Sequence, residues 1–261
     1  MSSLPYQIRR FEEISNNAWP ALQTMQYDGW LLRFAGGVTK RSNSINLLYP
    51  SAVDPEIKIS FCEKIYNEHG ITPCFKITPA ADPIGIDKLL DRRGYYIHSR
   101  ISFQYLDISG ISGEPIRDVH IETELNESWI GHFIRMNDFD PARKPVYIAI
   151  MRHVMTPKCL ISLVRDRKTI GVGLGVLEGD HIGLFDIVVA REYRNTGLGY
   201  LIVENILRWG RHNGASTAYL QVLSDNGPAL RLYEKMGFKE LYPYWYRMKP
   251  AHTKHLSEET L

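Results

Sequence analysis

Two arginines and two glycines lie close together between an apolar stretch and an amphipathic one: Arg191, Arg194, Gly197 and Gly199. Gly197 can adopt a positive φ, and Gly199 leaves room for a ligand against the backbone. The first N–H groups of a helix lack partners and form the positive end of its dipole, which disfavours nearby cations and favours an anion. The segment therefore predicts a phosphate-binding loop. A strand-to-helix turn that merely requires glycine is the alternative.

A candidate proton donor follows further along the chain. Tyr233 comes seven residues after Asn226, close to two helical turns, so the two side chains share one face of a helix. Pro228 suits the first turn of that helix, where its missing N–H costs nothing. A phenol has a pKa of about 10 in water and can protonate a leaving group of similar basicity. The alternative is a half-buried aromatic residue on an amphipathic helix.

A carboxylate on the strand before the loop is the candidate base. Asp186 stands in the apolar run that precedes the arginines, where it could contact a substrate or accept a proton. The alternative is a carboxylate that is hydrogen-bonded within the sheet. Glu178 and His181 flank the preceding turn and are expected to be solvated hairpin residues.

The second half of the chain supplies the elements that must position these groups. Apolar periodicity predicts helices over 127–137, 145–155, 198–211 and 228–236. Strands are predicted over 159–164, 170–177, 182–189, 218–223 and 242–248, with hairpin turns near residues 166–168 and 179–180. Gly171, Gly173 and Gly175 fall on one strand face, which indicates close approach by a ligand or, the favoured interpretation, by a packed helix.

The first half resembles a worn copy of the second. In both, a short helix ends at a glycine followed by an aromatic residue, Gly94–Tyr95 and Gly237–Phe238, before a strand. The first half also predicts an N-terminal helix closed at Trp19–Pro20, strands over 29–35, 42–49, 74–78 and 99–106, and a helix over 56–69. We therefore expect domains over 1–112 and 113–250, joined near 109–115, and a polar tail over 251–261.

The first copy lacks the chemical groups of the second. It has no Arg-x-x-Gly-x-Gly loop, and Leu90 stands at the position of Tyr233, so it is not expected to bind a ligand in the same way. A cluster in this half could line a substrate groove, although a strand pair with a solvated basic edge is the favoured interpretation. The cluster consists of Trp30, Arg33, Lys40, Arg41 and Asn43.

Composition excludes several classes of protein. The 261 residues carry 31 Lys and Arg against 29 Asp and Glu, a net charge of +2 that gives no reason to expect a nucleic-acid or membrane partner. The N-terminus has no apolar core of a signal peptide, and apolar runs are only strand-sized. Three widely spaced cysteines form no metal motif, so we expect a cytoplasmic protein with reduced thiols and no bound metal.

The two motifs together resemble those of the GCN5-related N-acetyltransferases (GNAT). The family usually has proline where this chain has Arg191, a departure outside the loop itself. The resemblance implies an α/β (α+β) GNAT fold, a mixed and mostly antiparallel sheet flanked by helices, preceded here by a smaller degenerate GNAT-like domain. It further implies that acetyl-CoA binds along one strand, the loop and the following helix. The residues carried over are Ile187, Val188, Val189, Arg194, Asn195, Thr196, Gly197, Leu198, Gly199, Tyr200, Asn226 and Tyr233.

The expected activity follows from this resemblance. An amine would attack the thioester of acetyl-CoA directly, with strand N–H groups near Val189 stabilising the oxyanion, Tyr233 protonating the departing sulfur and Asp186 as the base. The acceptor would be a primary amine of a small molecule or peptide. The alternative is a catalytically inactive acyl-CoA-binding sensor or interaction module. Two GNAT-like halves in one chain predict a monomer or weak dimer.

Overall fold

The computed structural model describes residues 3–114 and 119–249, in which helices and strands alternate along the chain. The predicted tail over 251–261 and the end of the predicted join lie outside these residues. Short 3₁₀ turns occur at Pro141–Arg143 and Arg191–Tyr193. The elements of the first half are α1 (Leu4–Ala18), β1 (Gln23–Tyr27), β2 (Trp30–Phe34), β3 (Ile45–Leu47), α2 (Pro55–Glu68), β4 (Cys74–Ile77), α3 (Ile86–Arg92) and β5 (Tyr96–Asp107). Those of the second half are β6 (His120–Glu122), α4 (Glu127–Met136), α5 (Lys144–Arg152), β7 (Lys158–Arg165), β8 (Lys168–Glu178), β9 (His181–Val189), α6 (Leu198–His212), β10 (Thr217–Leu223), α7 (Gly227–Lys235) and β11 (Lys239–Met248).

One sheet of eleven strands runs through the described part of the chain, in the order β1-β2-β3-β4-β11-β5-β10-β9-β8-β7-β6. Only the pairs β3–β4 and β9–β10 are parallel there, so the predicted mixed and mostly antiparallel sheet is confirmed. The hairpins β7–β8 and β8–β9 also form as predicted. No helix among the described residues is both long and apolar enough to cross a bilayer.

The two halves of the sheet exchange their last strands. β5, which follows α3, pairs with β10 of the second half, and β11, which follows α7, pairs with β4 of the first. β5 and β11 then pair with each other at the centre, where Ile101 opposes both Tyr244 and Leu223. Each half therefore completes the sheet of the other, and the centre is built from strands far apart in sequence.

Helices cover both faces of the second half of the sheet. On one face α6 packs over the three alternating glycines, and a Cβ atom on Gly173 would lie 2.4 Å from Cγ2 of Ile202 and 3.2 Å from Cδ1 of Ile206. A Cβ on Gly175 would be 2.7 Å from Cγ2 of Ile206, so the predicted packing of a helix against this strand is confirmed. On the other face α1, α4 and α5 bury aromatic residues, among them Phe11 and Tyr147.

Buried polar contacts connect α1 to strands of both halves. Glu12, on α1, forms an ion pair of 2.6 Å with Lys76 on β4 and accepts a hydrogen bond of 2.8 Å from Tyr242 on β11. Both charged side chains are at most 5 % exposed. Removing one partner of a buried ion pair typically costs about 3–5 kcal/mol, because the other charge stays buried without compensation. These contacts fix the strand exchange at the centre of the molecule.

Two short strands were not anticipated from the sequence. β1 at one edge is polar and mostly exposed, and β6 at the other edge has only three residues, so neither carries an apolar alternation. The helix closed at Trp19 and the β2–β3 pair agree with the sequence prediction.

Candidate active site

The site lies where two neighbouring strands separate. β9 and β10 pair in parallel from His181–Thr217 to Leu184–Leu220, and beyond that point β9 continues without β10 beside it. The β8–β9 register also shifts between Val172 and Leu174, and Asp186 has a φ of 51°, which marks a bulge in β9. Separation and bulge together open a cleft beside residues 186–189.

A groove of about 570 Å³ occupies one side of this cleft. It brings together every predicted coenzyme-binding residue except Thr196, whose hydroxyl donates a 2.6 Å hydrogen bond to the carbonyl of Tyr193. Asn137, at the end of α4, is a wall residue that sequence reasoning missed. The groove is lined by Asn137, Ile187, Val188, Val189, Tyr193, Arg194, Asn195, Gly197, Leu198, Gly199, Tyr200, Asn226, Pro228, Ala229, Leu232, Tyr233 and Lys235.

The loop before α6 presents a row of free N–H groups. Asn195 and Gly197 have φ values of 62° and 85°, and Gly197 is the N-cap residue of α6. Within the described chain, the first N–H of this region that donates a backbone hydrogen bond is that of Leu201, to Gly197 O at 3.2 Å. The N–H groups of residues 195–200 have no acceptor among the described residues. Such a row at a helix N-terminus fits a pyrophosphate.

The two glycines of this loop have different roles. A Cβ on Gly197 would meet nothing within 4 Å, so its positive φ is what requires glycine. A Cβ on Gly199 would lie 3.3 Å from Cδ2 of Leu232, so Gly199 also allows α6 to approach α7. Arg194 is held in the loop by a 3.0 Å hydrogen bond from its Nε to the carbonyl of Val189.

Tyr233 and Asn226 lie on the wall of this groove that α7 forms. The Asn226 side chain caps α7 by accepting a hydrogen bond of 3.2 Å from the N–H of Ala229. Tyr233 is 9 % exposed, packs at 5.7 Å against Phe238, and donates no hydrogen bond within the described chain. Burial raises the pKa of Tyr233 to about 12, against a smaller opposing effect of the Arg41 charge. The phenol is therefore protonated at any physiological pH.

The free edge of β9 offers further donors. Ala190 N–H donates to Ile170 O at 2.9 Å, and in an antiparallel ladder the direction of N–H groups alternates along the strand. This alternation directs the N–H of Val188 toward β8 and that of Val189 away from it, into the cleft. The predicted oxyanion donor therefore faces the open side of the strand.

A second cavity, of about 340 Å³, is lined by Asp186 at the bulge. Asn137 lines both cavities, so they meet at this residue. Both halves of the chain contribute to its walls, which are lined by Trp19, Thr39, Lys40, Arg41, Ser99, Ile101, Phe133, Asn137, Phe139, Tyr147, Asp186, Gln221, Leu223, Tyr244 and Tyr246.

Asp186 contacts a helix rather than the sheet. Its Oδ2 accepts a 2.5 Å hydrogen bond from the hydroxyl of Tyr147 on α5. Burial raises the pKa of Asp186 to about 6, and the Tyr147 hydrogen bond and the Arg41 charge oppose this rise. The alternative of a carboxylate bonded within the sheet is therefore not what the structure shows. Glu178 and His181 lie elsewhere, against Arg10 and Phe11 respectively.

The basic cluster of the first half divides into two groups. Lys40 and Arg41 line the second cavity. Trp30 and Arg33 are at most 3 % exposed, and Arg33 donates to the carbonyl of Trp19 at 2.6 Å, so a solvated basic edge does not describe them. Asn43 is also buried and belongs to this structural group.

The corresponding helix start in the first half is closed by the protein itself. Asp28 accepts hydrogen bonds from the N–H groups of Ala52 and Val53, at 3.0 and 2.8 Å, in the loop before α2. It also pairs with Nζ of Lys58 at 3.0 Å. The N–H of Val53 and the ammonium of Lys58 hold the pKa of Asp28 well below its usual range. An internal carboxylate thus stands where the second half leaves its donors free.

Comparisons with known proteins identify the family to which this site belongs. Residues 6–247 match the family model described as "Probable histone acetyltransferase Rv0428c C-terminal". The chain is 32 % identical to "Uncharacterized N-acetyltransferase YobR" of Bacillus subtilis over 248 residues, which is 93 % of this chain and 98 % of that protein.

Solved structures show the same fold. A GCN5-related N-acetyltransferase from Kribbella flavida superimposes with a TM-score of 0.67 at 14 % identity, covering 93 % of this chain and 95 % of that one. A tandem GNAT protein from the clavulanic acid biosynthesis pathway superimposes with a TM-score of 0.60 at 14 % identity, covering 91 % and 86 %. The chain therefore belongs to the Rv0428c C-terminal family of the GNAT superfamily and is an N-acyltransferase.

Proposed function

We propose that this protein transfers the acetyl group of acetyl-CoA to a primary amine of a small molecule by direct attack. The observation that carries the proposal is that two cavities sharing Asn137 as a wall residue line consecutive residues of β9, Asp186 in one and Ile187 to Val189 in the other. One cavity contains the free N–H row and Tyr233, and the other contains Asp186. Donor and acceptor could therefore meet at this strand by way of the two cavities, with no need for a covalent enzyme intermediate.

The groove has the groups that a coenzyme A donor requires. The N–H groups of residues 195–200 would hold the pyrophosphate, and the free edge of residues 187–189 would pair with the pantetheine amides. Acetyl-CoA supplies the activated thioester. The N–H of Val189 would donate to the carbonyl oxygen as negative charge develops there, because it is directed into the cleft.

Tyr233 is assigned to the departing sulfur. With a pKa of about 12, the phenol is a weaker acid than an ordinary thiol, whose pKa is about 8.5. Complete proton transfer to the sulfur is therefore uphill, and the phenol acts chiefly by donating a hydrogen bond as negative charge grows. Tyr233→Phe should lower kcat by at least about 10-fold, the value of one charge-assisted hydrogen bond.

Asp186 is assigned as the base that receives the proton of the amine. An alkylammonium has a pKa of about 10.4, so transfer to a carboxylate of pKa about 6 costs roughly 6 kcal/mol. An aspartate of pKa about 3.9 would make the same transfer cost roughly 9 kcal/mol. A turnover of about 10 per second has a total barrier of roughly 16 kcal/mol, which accommodates the smaller cost more easily. Burial of Asp186 thus makes it a more effective base.

The test is thiol release from acetyl-CoA with a panel of primary amines, with the acetylated product identified by mass spectrometry. Wild-type protein should acetylate at least one amine, and Tyr233→Phe and Asp186→Asn should each reduce that rate while acetyl-CoA still binds. The contrary result is tight acetyl-CoA binding without turnover of any amine, and slow thioester hydrolysis that Tyr233→Phe leaves unchanged. That outcome would instead identify an acyl-CoA-binding sensor or interaction module.

We further propose that residues 1–112 form a degenerate GNAT-like domain and residues 113–250 the catalytic one. The repeated parallel pairs β3–β4 and β9–β10 and the reciprocal exchange of β5 and β11 support this division. Asp28 and the N-cap residue Asp54 support the assignment of a single acetyl-CoA site, because Asp28 accepts from the N–H groups of Ala52 and Val53 before α2 and Asp54 from those of Glu56 and Ile57 in its first turn. Since the halves complete each other within one chain, we expect a monomer, which a solution mass measurement would test.

A further inference from the structure

The second cavity, where the acceptor amine would bind, contains a cation without a salt-bridge partner among the described residues. No carboxylate of the described chain lies within salt-bridge distance of the Arg41 guanidinium, and that group donates no hydrogen bond there. It lies instead over two aromatic rings, 5.3 Å from the Trp19 centroid and 5.7 Å from that of Phe185. Phe185 directly precedes Asp186 on β9, so Arg41 sits beside the candidate base.

Arg41 is held in place by a loop with buried polar contacts. Asn43 accepts hydrogen bonds from the N–H groups of Ala35 and Gly37, at 2.7 and 2.8 Å, and donates to the carbonyl of Thr39 at 2.7 Å. The carbonyl of Arg41 itself accepts a hydrogen bond from the buried Arg33 guanidinium. The loop is therefore fixed before any substrate arrives, and the guanidinium is presented to the cavity by a rigid support.

The charges that face the cavity are unbalanced. Lys40 and Arg41 are cations, Asp186 is the carboxylate, and the remaining titratable groups on the walls are the phenols of Tyr147, Tyr244 and Tyr246. An acceptor amine enters as an ammonium and is attracted by Asp186. An amine with no anionic group would then also face the positive charges of Lys40 and Arg41. A second group of negative charge on the acceptor would satisfy Arg41, and guanidinium matches the geometry of carboxylate or phosphate.

We propose that the acceptor is a small primary amine that also carries an anionic group, with its ammonium at Asp186 and its anion at Arg41. A cavity of about 340 Å³ with aromatic walls suits a compact molecule of amino-acid size. The β2–β3 loop of the first half, which carries Arg41, thereby determines which amines the second half acetylates. This inference deepens the proposed acetyl transfer and rests on it.

The experiment uses matched pairs of amines with the full-length protein and acetyl-CoA. L-Phenylalanine is compared with 2-phenylethylamine, L-leucine with isopentylamine, 4-aminobutyrate with propylamine, and O-phosphoethanolamine with ethanolamine. The first three pairs test a carboxylate and the last a phosphate. We expect at least one amine with an anionic group to exceed its partner without one by about 10- to 100-fold in kcat/KM, the range expected for a charge-assisted contact.

Two variants assign that preference to Arg41. Measured at pH 9, where Asp186 is ionised with or without the Arg41 charge, Arg41→Gln should abolish the preference by lowering kcat/KM for the anionic amine much more than for its partner. Arg41→Lys should retain part of it. Arg100→Gln is the matched control, because Arg100 also stacks on a tryptophan, at 5.7 Å from the Trp245 ring, but does not line the cavity. Its neighbours Ser99 and Ile101 do line the cavity. The control should keep the wild-type preference.

Binding measured by calorimetry on protein saturated with coenzyme A separates this inference from the proposed function. If an anionic amine binds through Arg41 without being acetylated, the inference is supported and the proposed transfer fails. Equal or faster acetylation of the partners without an anionic group, or of an alanyl tripeptide amide that has no acidic group, would overturn the inference and leave acetyl transfer standing. Failure of every anionic amine to bind or react would overturn it as well.

Discussion

Replacing Tyr147 with phenylalanine removes the hydroxyl that donates a 2.5 Å hydrogen bond to Asp186 and leaves the ring in place. Among the influences on Asp186, this hydrogen bond is the largest that lowers its pKa against the effect of burial. A hydrogen bond to a charged group contributes about 1.5–3 kcal/mol, which corresponds to about 1–2 pKa units. We therefore expect the pKa of Asp186 to rise from about 6 to roughly 7–8 in Tyr147→Phe.

The assay is the pH dependence of kcat/KM for the acceptor amine at saturating acetyl-CoA, because its acid limb reports the base in the free site. At pH 6.5, a carboxyl of pKa about 6 is roughly three-quarters ionised, and one of pKa 7.5 only about a tenth. The variant should therefore lose about 8-fold at pH 6.5 and little above pH 9, where both carboxyls are ionised. A purely structural defect would lower the rate equally at every pH.

Tyr244→Phe is the control for this experiment. Its hydroxyl lies on the wall of the same cavity but donates to Oε1 of Gln221, at 2.6 Å, instead of to Asp186. The control should leave the midpoint of the acid limb where it is in wild-type protein. An unchanged or lower midpoint in Tyr147→Phe, in a variant whose thermal unfolding shows an intact fold, would refute the assignment of Asp186 as the base.

Three further predictions concern the stability of the fold and the loop before α6 that would bind acetyl-CoA. Asp186→Asn should raise the free energy of unfolding by about 1–3 kcal/mol at pH 7.4 and not at pH 4 in denaturant titrations, since the native pKa of about 6 lies above the unfolded value. In wild-type protein the free energy of unfolding therefore falls as pH rises from about 4 to 6, because the buried carboxyl of Asp186 ionises. An equal effect of Asp186→Asn at both pH values would contradict this. Gly173→Ala should destabilise by about 1–3 kcal/mol in the same titrations, because its Cβ would lie 2.4 Å from Ile202. Gly197→Ala, which must adopt a φ of 85°, should weaken acetyl-CoA binding measured by calorimetry, with an unchanged affinity as the contrary result.

Local chemistry explains why much of the second half could be predicted from the sequence. The positive φ of Gly197 and the helix start that follows it depend on residues within one loop. The packing of α6 over Gly173 follows from an alternation that is readable within a single strand. Likewise, the Asn226–Tyr233 spacing fixes one face of one helix, and the structure places both residues on the same groove wall.

Contacts between distant segments could not be predicted in this way. The sequence predicts Asp186 as the base from its place on the strand before the loop, but its partner Tyr147 lies on a helix whose docking no local pattern specifies. In the sequence Arg41 belongs only to a basic cluster, and its position beside Phe185 depends on packing between the two halves. The exchange of β5 and β11 is equally non-local, because either strand could have paired within its own half without any change in its apolar pattern.

The strand exchange gives a physical reason why a half that binds no coenzyme would be retained. Asp28 satisfies the N–H groups before α2, so the first half has no free phosphate site to offer. Yet β4 of that half lies against β11 and β5 against β10, and the β2–β3 loop presents Arg41 to the second cavity. Loss of the first half would therefore leave β10 with one open edge and β11 with neither neighbour, and it would remove one wall of the second cavity. The first half can therefore lack a coenzyme site and still be needed for the fold. Coenzyme binding would depend on the loop before α2, whereas the structural role depends on the strands of the sheet and on the loop that holds Arg41.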